Sequence, residues 1–478
     1  MLVLLASDLI VHPRIRLLNE ASVNPDAKYV LYWAQMNRRV DSNHGLTYAI
    51  HWADKLNLPV LVYEGLTCDY AYANDRFHTF VLEGVPETRK RCKKLGLGYC
   101  FYLRKTRKSL NSAFYQVAAN AALVVTDDYP TFIAKQHNAS VPLKVQIPYY
   151  VVDSSCVVPM MLIPDRQYAA YTIRPKIHKL LPEQMKPLTM KGPKRKWEGP
   201  LPDFDTEVVD GKIAELVAEC EIDHSVAPSL SFKGGRKAVE NLLSDFLESK
   251  LRRYAKERNS PSAHATSDMS PYLHFGQISS LELAIAARDY ADEHQLMSGE
   301  YLEELIVRRE LAFNFARTTA RQDSLEVLPD WVLKTLGKHD NDPREFVYNQ
   351  EQFEKAETHD PLWNAMQKEM LLRGKIHGYY RMYWGKKIIE WSGSHKEALA
   401  TMIYLHDRYA LDGRDPNTYT NILWCFGMHD RPWGERPIFG MIRYMGLDGM
   451  KRKTDVDGYL REIGYLERNG KDPFQGKS

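Results

Sequence analysis

No run of about 18 apolar residues occurs in this sequence, so nothing in it reads as a bilayer span. The apolar start, Met1 to Ile10, is short. It lacks the basic flank and small-residue cleavage site of a secretory leader, and reads as a strand or a loosely held arm. Cysteine is scarce. Cys68, Cys92, Cys100, Cys156, Cys220 and Cys425 make no C-x-x-C pair, which argues against a zinc site and against a disulfide framework. A reducing compartment is expected, inside the cell, cytoplasmic or nuclear and not secreted, with no metal bound. Excess charge is also missing. The formal net charge is +3, so global electrostatics do not announce a nucleic-acid partner. The runs Lys194-Arg195-Lys196 and Lys451-Arg452-Lys453 read by themselves as solvated surface. No G-x-G-x-x-G follows the first strand-like run, which leaves dinucleotide binding there unsupported.

Aromatic residues, by contrast, are abundant and uneven. There are 28 Tyr and 9 Trp, and Trp331, Trp363, Trp384, Trp391, Trp424 and Trp433 all fall in the last third. A segment so rich in indoles either builds a large core or binds something flat.

Three compositional regimes divide the chain. Over 24–150, β-rich runs (Tyr29 to Trp33, Pro59 to Tyr63, Tyr99 to Leu103, Leu123 to Thr126, Lys144 to Ile147) alternate with helical patterns (Gly45 to Lys55, Asn111 to Ala122). That alternation predicts a Rossmann-like α/β domain with a parallel sheet, and polar strand ends such as Thr126-Asp127-Asp128 lie where such sheets take ligands. Prolines at 159, 164, 175, 182, 187, 193, 200 and 202 predict a long interdomain linker over 151–225, without long elements and with an exposed basic tip from Lys191 to Trp197. From 226 to 478 helical periodicity takes over: Arg236 to Tyr254, Ser279 to Asp292, Glu300 to Thr318, Pro361 to Arg373, Ile376 to Trp391 and Lys396 to Tyr409. No strand is expected there.

Within the helical part, Ser270-Pro271 reads as an N-cap followed by Pro at the first helical position. It follows a hydroxyl-rich loop, and such a helix start suits a phosphate, although an ordinary capped helix has the same signature. Trp384 and Trp391 are seven apart on a predicted helix, on one face and about 10 Å apart along its axis. Indoles at that spacing can hand on single electrons, or simply pack a core.

The string Ser270 to Ile278 (SPYLHFGQI), with Phe232, Gly234-Gly235-Arg236, Arg258-Asn259 and Pro261, resembles the flavin loop of the photolyase/cryptochrome family. A denser block resembles class II cyclobutane-pyrimidine-dimer photolyases: Trp363-Asn364-Ala365, Gly374 to Gly378, Arg381 to Trp384, Glu390-Trp391, Leu411 to Asn417, and Glu435 to Met445. The likeness runs from about residue 28 to 465 in order, which is far more specific than any short motif.

The resemblance implies light-driven repair of cyclobutane pyrimidine dimers, with FAD as cofactor, an antenna chromophore (deazaflavin or folate) in the α/β domain, UV-damaged duplex DNA as partner, and a monomer. Carried over, Tyr254, Thr266, Ser267 and Ser270 would hold the pyrophosphate. Tyr301 and Arg308 would lie along the cofactor, Met269, Gln277 and Asp415 would also contact it, and Arg381 and Asp412 would pair beside the flavin ring. Trp384, Trp363 and Trp391 would relay electrons from flavin to surface in that order. Glu304 would contact the dimer, protonated or through water, with Glu303 and Glu310 expected at the surface or in ion pairs. Met382 and Trp424 would pack on the flipped dimer, while Arg431, Trp433, Arg436 and Arg443 would enter the gap it leaves and bind phosphates. The class has Asn where this chain has His406. An imidazole can donate the same hydrogen bond, but its charge can vary near neutral pH, and Asn421 is the alternative donor. A non-repairing photoreceptor on the same fold is the competing reading; His406 favours it, while the pocket residues and the absence of a long signalling tail after Ser478 count against it.

Overall fold

The computed structural model describes residues 12–473; the Met1–Ile10 reading lies outside them. A six-stranded sheet occupies the first third, in the order β1-β6-β5-β2-β3-β4. Its strands are β1 (Ile15–Leu17), β2 (Tyr29–Trp33), β3 (Val60–Thr67), β4 (Gly98–Arg104), β5 (Ala121–Asp127) and β6 (Tyr149–Val152). All neighbours are parallel except β1, an antiparallel edge on β6. Strands β4, β5 and β6 are buried along their whole length, which is why they read as continuous apolar runs and not as alternation.

Several sequence expectations need correction. The strand placed at Lys144 to Ile147 forms instead at Tyr149–Val152, after Pro148. The helix over Asn111 to Ala122 is only Ala113–Ala118, because the chain turns directly into β5. The proline-rich connection is not free of long elements: Ala170–Gln184 is helical through Pro175 and Pro182. The basic tip is exposed, as expected, at Lys191, Lys194, Arg195 and Lys196, and is anchored at its end. The Trp197 ring lies 5.5 Å from Tyr29 and covers Gly98, where a Cβ would meet the indole at 2.5 Å.

The helical half follows the predicted periodicity, with two departures. Arg236–Asp245 continues into Leu251–Glu257 through a π turn, Phe246–Lys250. A second π turn, Glu303–Arg308, joins Gly299–Leu302 to Arg309–Thr318. Among the described residues no strand follows β6, only isolated bridges. The two halves share one continuous core, which runs from the sheet into Leu251, Tyr254, Tyr301 and Leu311. Arg76, 2% exposed, clamps them further by donating to the carbonyls of Ala227, Met370 and Tyr409. A second core surrounds Trp363 and Trp384.

Candidate active site

Helices Pro361–Arg373 and Gly378–Trp391 meet at three indoles. The first starts at an Asp360 cap, whose carboxylate accepts from the Leu362 and Trp363 amides. The rings of Trp363 and Trp384 are 6.2 Å apart and almost parallel, at 7°; Trp363 and Trp391 are 6.4 Å apart and tilted by 68°. The orientations are fixed by hydrogen bonds from Trp363 Nε1 to the Trp384 carbonyl and from Trp384 Nε1 to Gln367 Oε1, both 3.0 Å. The geometry therefore places Trp363 in the middle. Trp391, expected at the surface, is 4% exposed. It lies under Tyr348 and the exposed His359 ring, 4.7 Å away.

Trp384 abuts a closed polar cluster. His406 meets it edge-on at 4.9 Å, and one turn before Trp384, Arg381 Nη2 donates to both Asp412 oxygens at 3.2 Å. Burial pulls the Asp412 carboxyl up most strongly of any single cause, but the Arg381 cation, the Ser270 hydroxyl and the Lys375 charge together hold the group below the usual carboxylate range. His406 corrects an expectation. Burial, helped by the Arg381 charge, lowers its pKa to about 3, so its charge does not vary near neutral pH. Its Nδ1 lies 3.1 Å from the Met402 carbonyl, which fixes the proton there and leaves Nε2 an acceptor. The alternative, Asn421, is exposed on helix Pro416–Cys425.

A cavity of about 450 Å³ adjoins the cluster, walled by Thr266, Asp268, Lys375 and His377 among others. Burial pushes Asp268 up, yet the Lys375 ammonium holds it down at about 2. Of the expected cofactor residues only Thr266 lines this wall; Arg381, Asp412 and His406 form the closed cluster, which is not part of the lining. Tyr254 and Tyr301 stack edge-on at 5.3 Å nearby, packed on Phe246 of the first π turn. Met269, buried, takes the N-cap position expected for Ser270, and the helix that follows, Ser270–His274, is a single turn. The phosphate argument therefore rests on the loop hydroxyls and not on a helix end.

These residues suit a dinucleotide cofactor that carries negative charge. Arg381 Nε and His377 Nε2 are buried with no partner, and the Ser270 and Tyr301 hydroxyls lie beside Asp412 and Ser267 without bonding geometry. Unspent buried donors of this kind are rare in a finished core.

Three expected cofactor residues are engaged elsewhere. Gln277 is spent on the Gly235 amide and the Phe80 carbonyl. Asp415 caps helix Pro416–Cys425 and accepts from Tyr129. Arg308, expected along the cofactor, instead donates to Glu303 and lies 5.6 Å over the Trp424 ring.

Beyond the cluster, Met382 and Trp424 are partly buried. Glu304 is 38% exposed along its side chain and pairs with Arg258 at 2.6 Å, so it is not the water-stripped carboxyl one expectation required; water can reach it. Glu303 is ion-paired with Arg174 and Arg308, as expected. Glu310 is neither at the surface nor ion-paired. It is 4% exposed, its pKa is raised by burial to about 8, and it accepts from the Val157 and Val158 amides. In the loop after Met428, Arg431 and Arg443 bracket the Trp433 ring at 4.8 and 5.1 Å, and Arg436 lies over Tyr444.

A second cavity, about 350 Å³, opens at the carboxyl ends of β2 to β4. Trp33, Arg38, Tyr63 and Tyr102 wall it from the sheet, and Phe275 and Arg414 from the helical half. Only its position, at the strand ends, was readable from the sequence.

Comparison with known proteins agrees with this architecture. A family model described as DNA photolyase matches residues 30–194. A deoxyribodipyrimidine photo-lyase of Methanothermobacter thermautotrophicus is 41% identical over 94% of this chain and 98% of its own length. One from Arabidopsis thaliana is 37% identical over 96% of this chain and 94% of its own, and one from Potorous tridactylus 36% over 94% and 84%. Among solved structures, a Synechocystis cryptochrome superposes with a TM-score of 0.65 at 17% identity, covering 92% of this chain and 89% of its own. A class III photolyase from Agrobacterium tumefaciens gives 0.65 at 16%, covering 92% and 87%. With relatives this similar over nearly its whole length, the chain belongs to the DNA photolyase family.

Proposed function

We propose that this protein uses blue light to split cyclobutane pyrimidine dimers in DNA, with FAD held in the helical half and the dimer flipped out of the duplex. The class II assignment rests on the motifs around Arg381, Asp412 and Arg443. The observation that carries the reading is the continuity of the indole path with the Arg381–Asp412–His406 cluster, where a buried cation keeps a donor unspent.

Reduced FAD, when bound, supplies an excitable electron for the dimer. The protein's own residues do the rest. Thr266, Ser267 and Ser270 offer hydroxyls to the pyrophosphate. Arg381 offsets negative charge, while Asp412 keeps that cation from being buried alone. Trp363, Trp384 and Trp391 carry electrons inward from the His359 side. Met382 and Trp424 give a flipped base an apolar, stacking wall, and Glu304 presents a carboxylate at its rim. Arg431, Trp433 and Arg443 form a stiff cationic wedge for the gap in the duplex. The cavity at the strand ends suits a flat antenna chromophore, a deazaflavin or a folate. The alternative, a photoreceptor without repair, keeps His406 as its one point of support, because the neutral ring spends its N–H on the Met402 carbonyl and cannot donate as the class's Asn would; Met382, Trp424 and Glu304 count against it.

The test is illumination of reduced, FAD-loaded protein with an oligonucleotide containing one thymine dimer. Thymine absorbance should recover with light dose and stay flat in the dark. Failure to retain a yellow chromophore, or no recovery in light, refutes the reading.

A further inference from the structure

The proline-rich connection brings four large apolar side chains to the surface within eleven residues: Met161 (40% exposed), Leu162 (36%), Tyr168 (45%) and Tyr171 (65%). Soluble folds rarely leave such a group uncovered without a partner. The position of this group is set by firm contacts. Tyr168 donates through its hydroxyl to the Asp430 carbonyl at 3.3 Å and accepts from Trp331 Nε1 at 3.4 Å, while its own carbonyl is bonded by His429. Trp433 Nε1 in turn donates to Asp430 Oδ1. On the other flank, helix Ala170–Gln184 is tied by Arg174 to Glu303, which holds Arg308 over Trp424. The two tyrosines, 6.5 Å apart, therefore lie between the Trp424 wall of the lesion pocket and the Trp433 wedge.

Charge completes the pattern. Arg166 donates to the Val327 carbonyl, and Arg317 to the carbonyls of Ile163 and Pro164. A carbonyl holds a guanidinium in place without neutralising it, so both cations remain for an anion. Exposed rings framed by positioned cations suit a strand of nucleic acid: phosphates meet the arginines and a base meets a ring.

We propose that Met161–Tyr171 is part of the DNA-binding face, with Tyr168 and Tyr171 forming a stacking platform for a base of the strand flanking the flipped lesion, and Arg166 and Arg317 holding its phosphates. This rests on the repair reading above and adds to it a surface that the connection, not the helical domain, supplies.

The experiment measures dark binding of FAD-loaded protein to a duplex with a single thymine dimer and to the same duplex undamaged. Tyr171→Ala, at a position too exposed to endanger folding, should weaken binding to the damaged duplex about tenfold, within the range of one lost base–aromatic stack. Tyr171→Phe, which keeps the ring, should stay within about twofold on the same principle. Arg317→Gln should reduce the slope of log Kd against log salt by about 1. Unchanged affinity in Tyr171→Ala, or equal loss in Tyr171→Phe, overturns the platform. If the unaltered protein shows no preference for damaged DNA, the repair reading itself fails and this one falls with it.

Discussion

Removing Arg381 gives the sharpest test of the closed polar cluster. The side chains of Arg381 and Asp412 are 15% and 9% exposed, so Arg381→Met leaves a carboxylate buried without its cation. Breaking such a pair costs about 3–5 kcal/mol. The lower end applies here, because a single nitrogen reaches both oxygens at 3.2 Å and not the two-nitrogen fork of the strongest pairs. A loss of about 3 kcal/mol in a chain of 478 residues that unfolds around one shared core lowers the unfolding midpoint by roughly 3 °C. Arg381→Met/Asp412→Asn removes both charges and should recover most of that loss, since a buried pair replaced as a unit is close to neutral. The assay is thermal unfolding of Arg381→Met, Asp412→Asn and the double variant without cofactor, followed by flavin absorbance per protein after incubation with excess FAD. The double variant should be stable yet bind flavin poorly. If Arg381→Met unfolds like the unaltered protein, or if the two single losses simply add in the double variant, the ion-pair argument is wrong. If the stable double variant retains flavin fully, the cation does not serve the cofactor.

Three further outcomes are expected. Trp363→Phe, the middle ring, should slow photoreduction of oxidised flavin while chemically reduced protein still splits dimers; equal loss of both would contradict the relay. Glu310, ordinarily near 4.5 but raised by burial to about 8, costs nothing below 4.5 and destabilises the fold progressively as pH rises from there to 8, by up to about 5 kcal/mol in full. Glu310→Gln keeps an acceptor for Val157 and Val158, so its midpoint should rise relative to the unaltered protein between pH 5 and 8; a gap independent of pH refutes this. With His406 near 3, the absorbance of bound flavin should show no His406-dependent titration between pH 5 and 8, and a step there that His406→Asn abolishes would refute its neutrality.

The domain plan was legible because buried strands and amphipathic helices leave different periods in a sequence. Of the indole path, the Trp384–Trp391 pair was legible from its spacing, two turns apart on one helix, while Trp363 came only through the family resemblance. What sequence could not supply was curvature and burial. The two π turns have no residue signature, and without the second one Glu303 and Arg308, five apart, would not meet. Pro175 and Pro182 looked like breakers, yet the helix keeps running through both. Trp391, Glu310 and His406 were misjudged for one reason: neighbours distant in the chain decide how much water each sees. The engagement of Gln277 and Asp415 in contacts between the halves was hidden for the same reason.

Arg76 and the shared core make the sheet half and the helical half a single rigid mount. Energy passed between two pigments by dipolar coupling depends on their separation and mutual angle, and a hinge would average both. A body that cannot bend there would keep an antenna in the sheet cavity at one fixed aim toward the flavin, so its efficiency would be set when the chain folds and would not drift with domain motion.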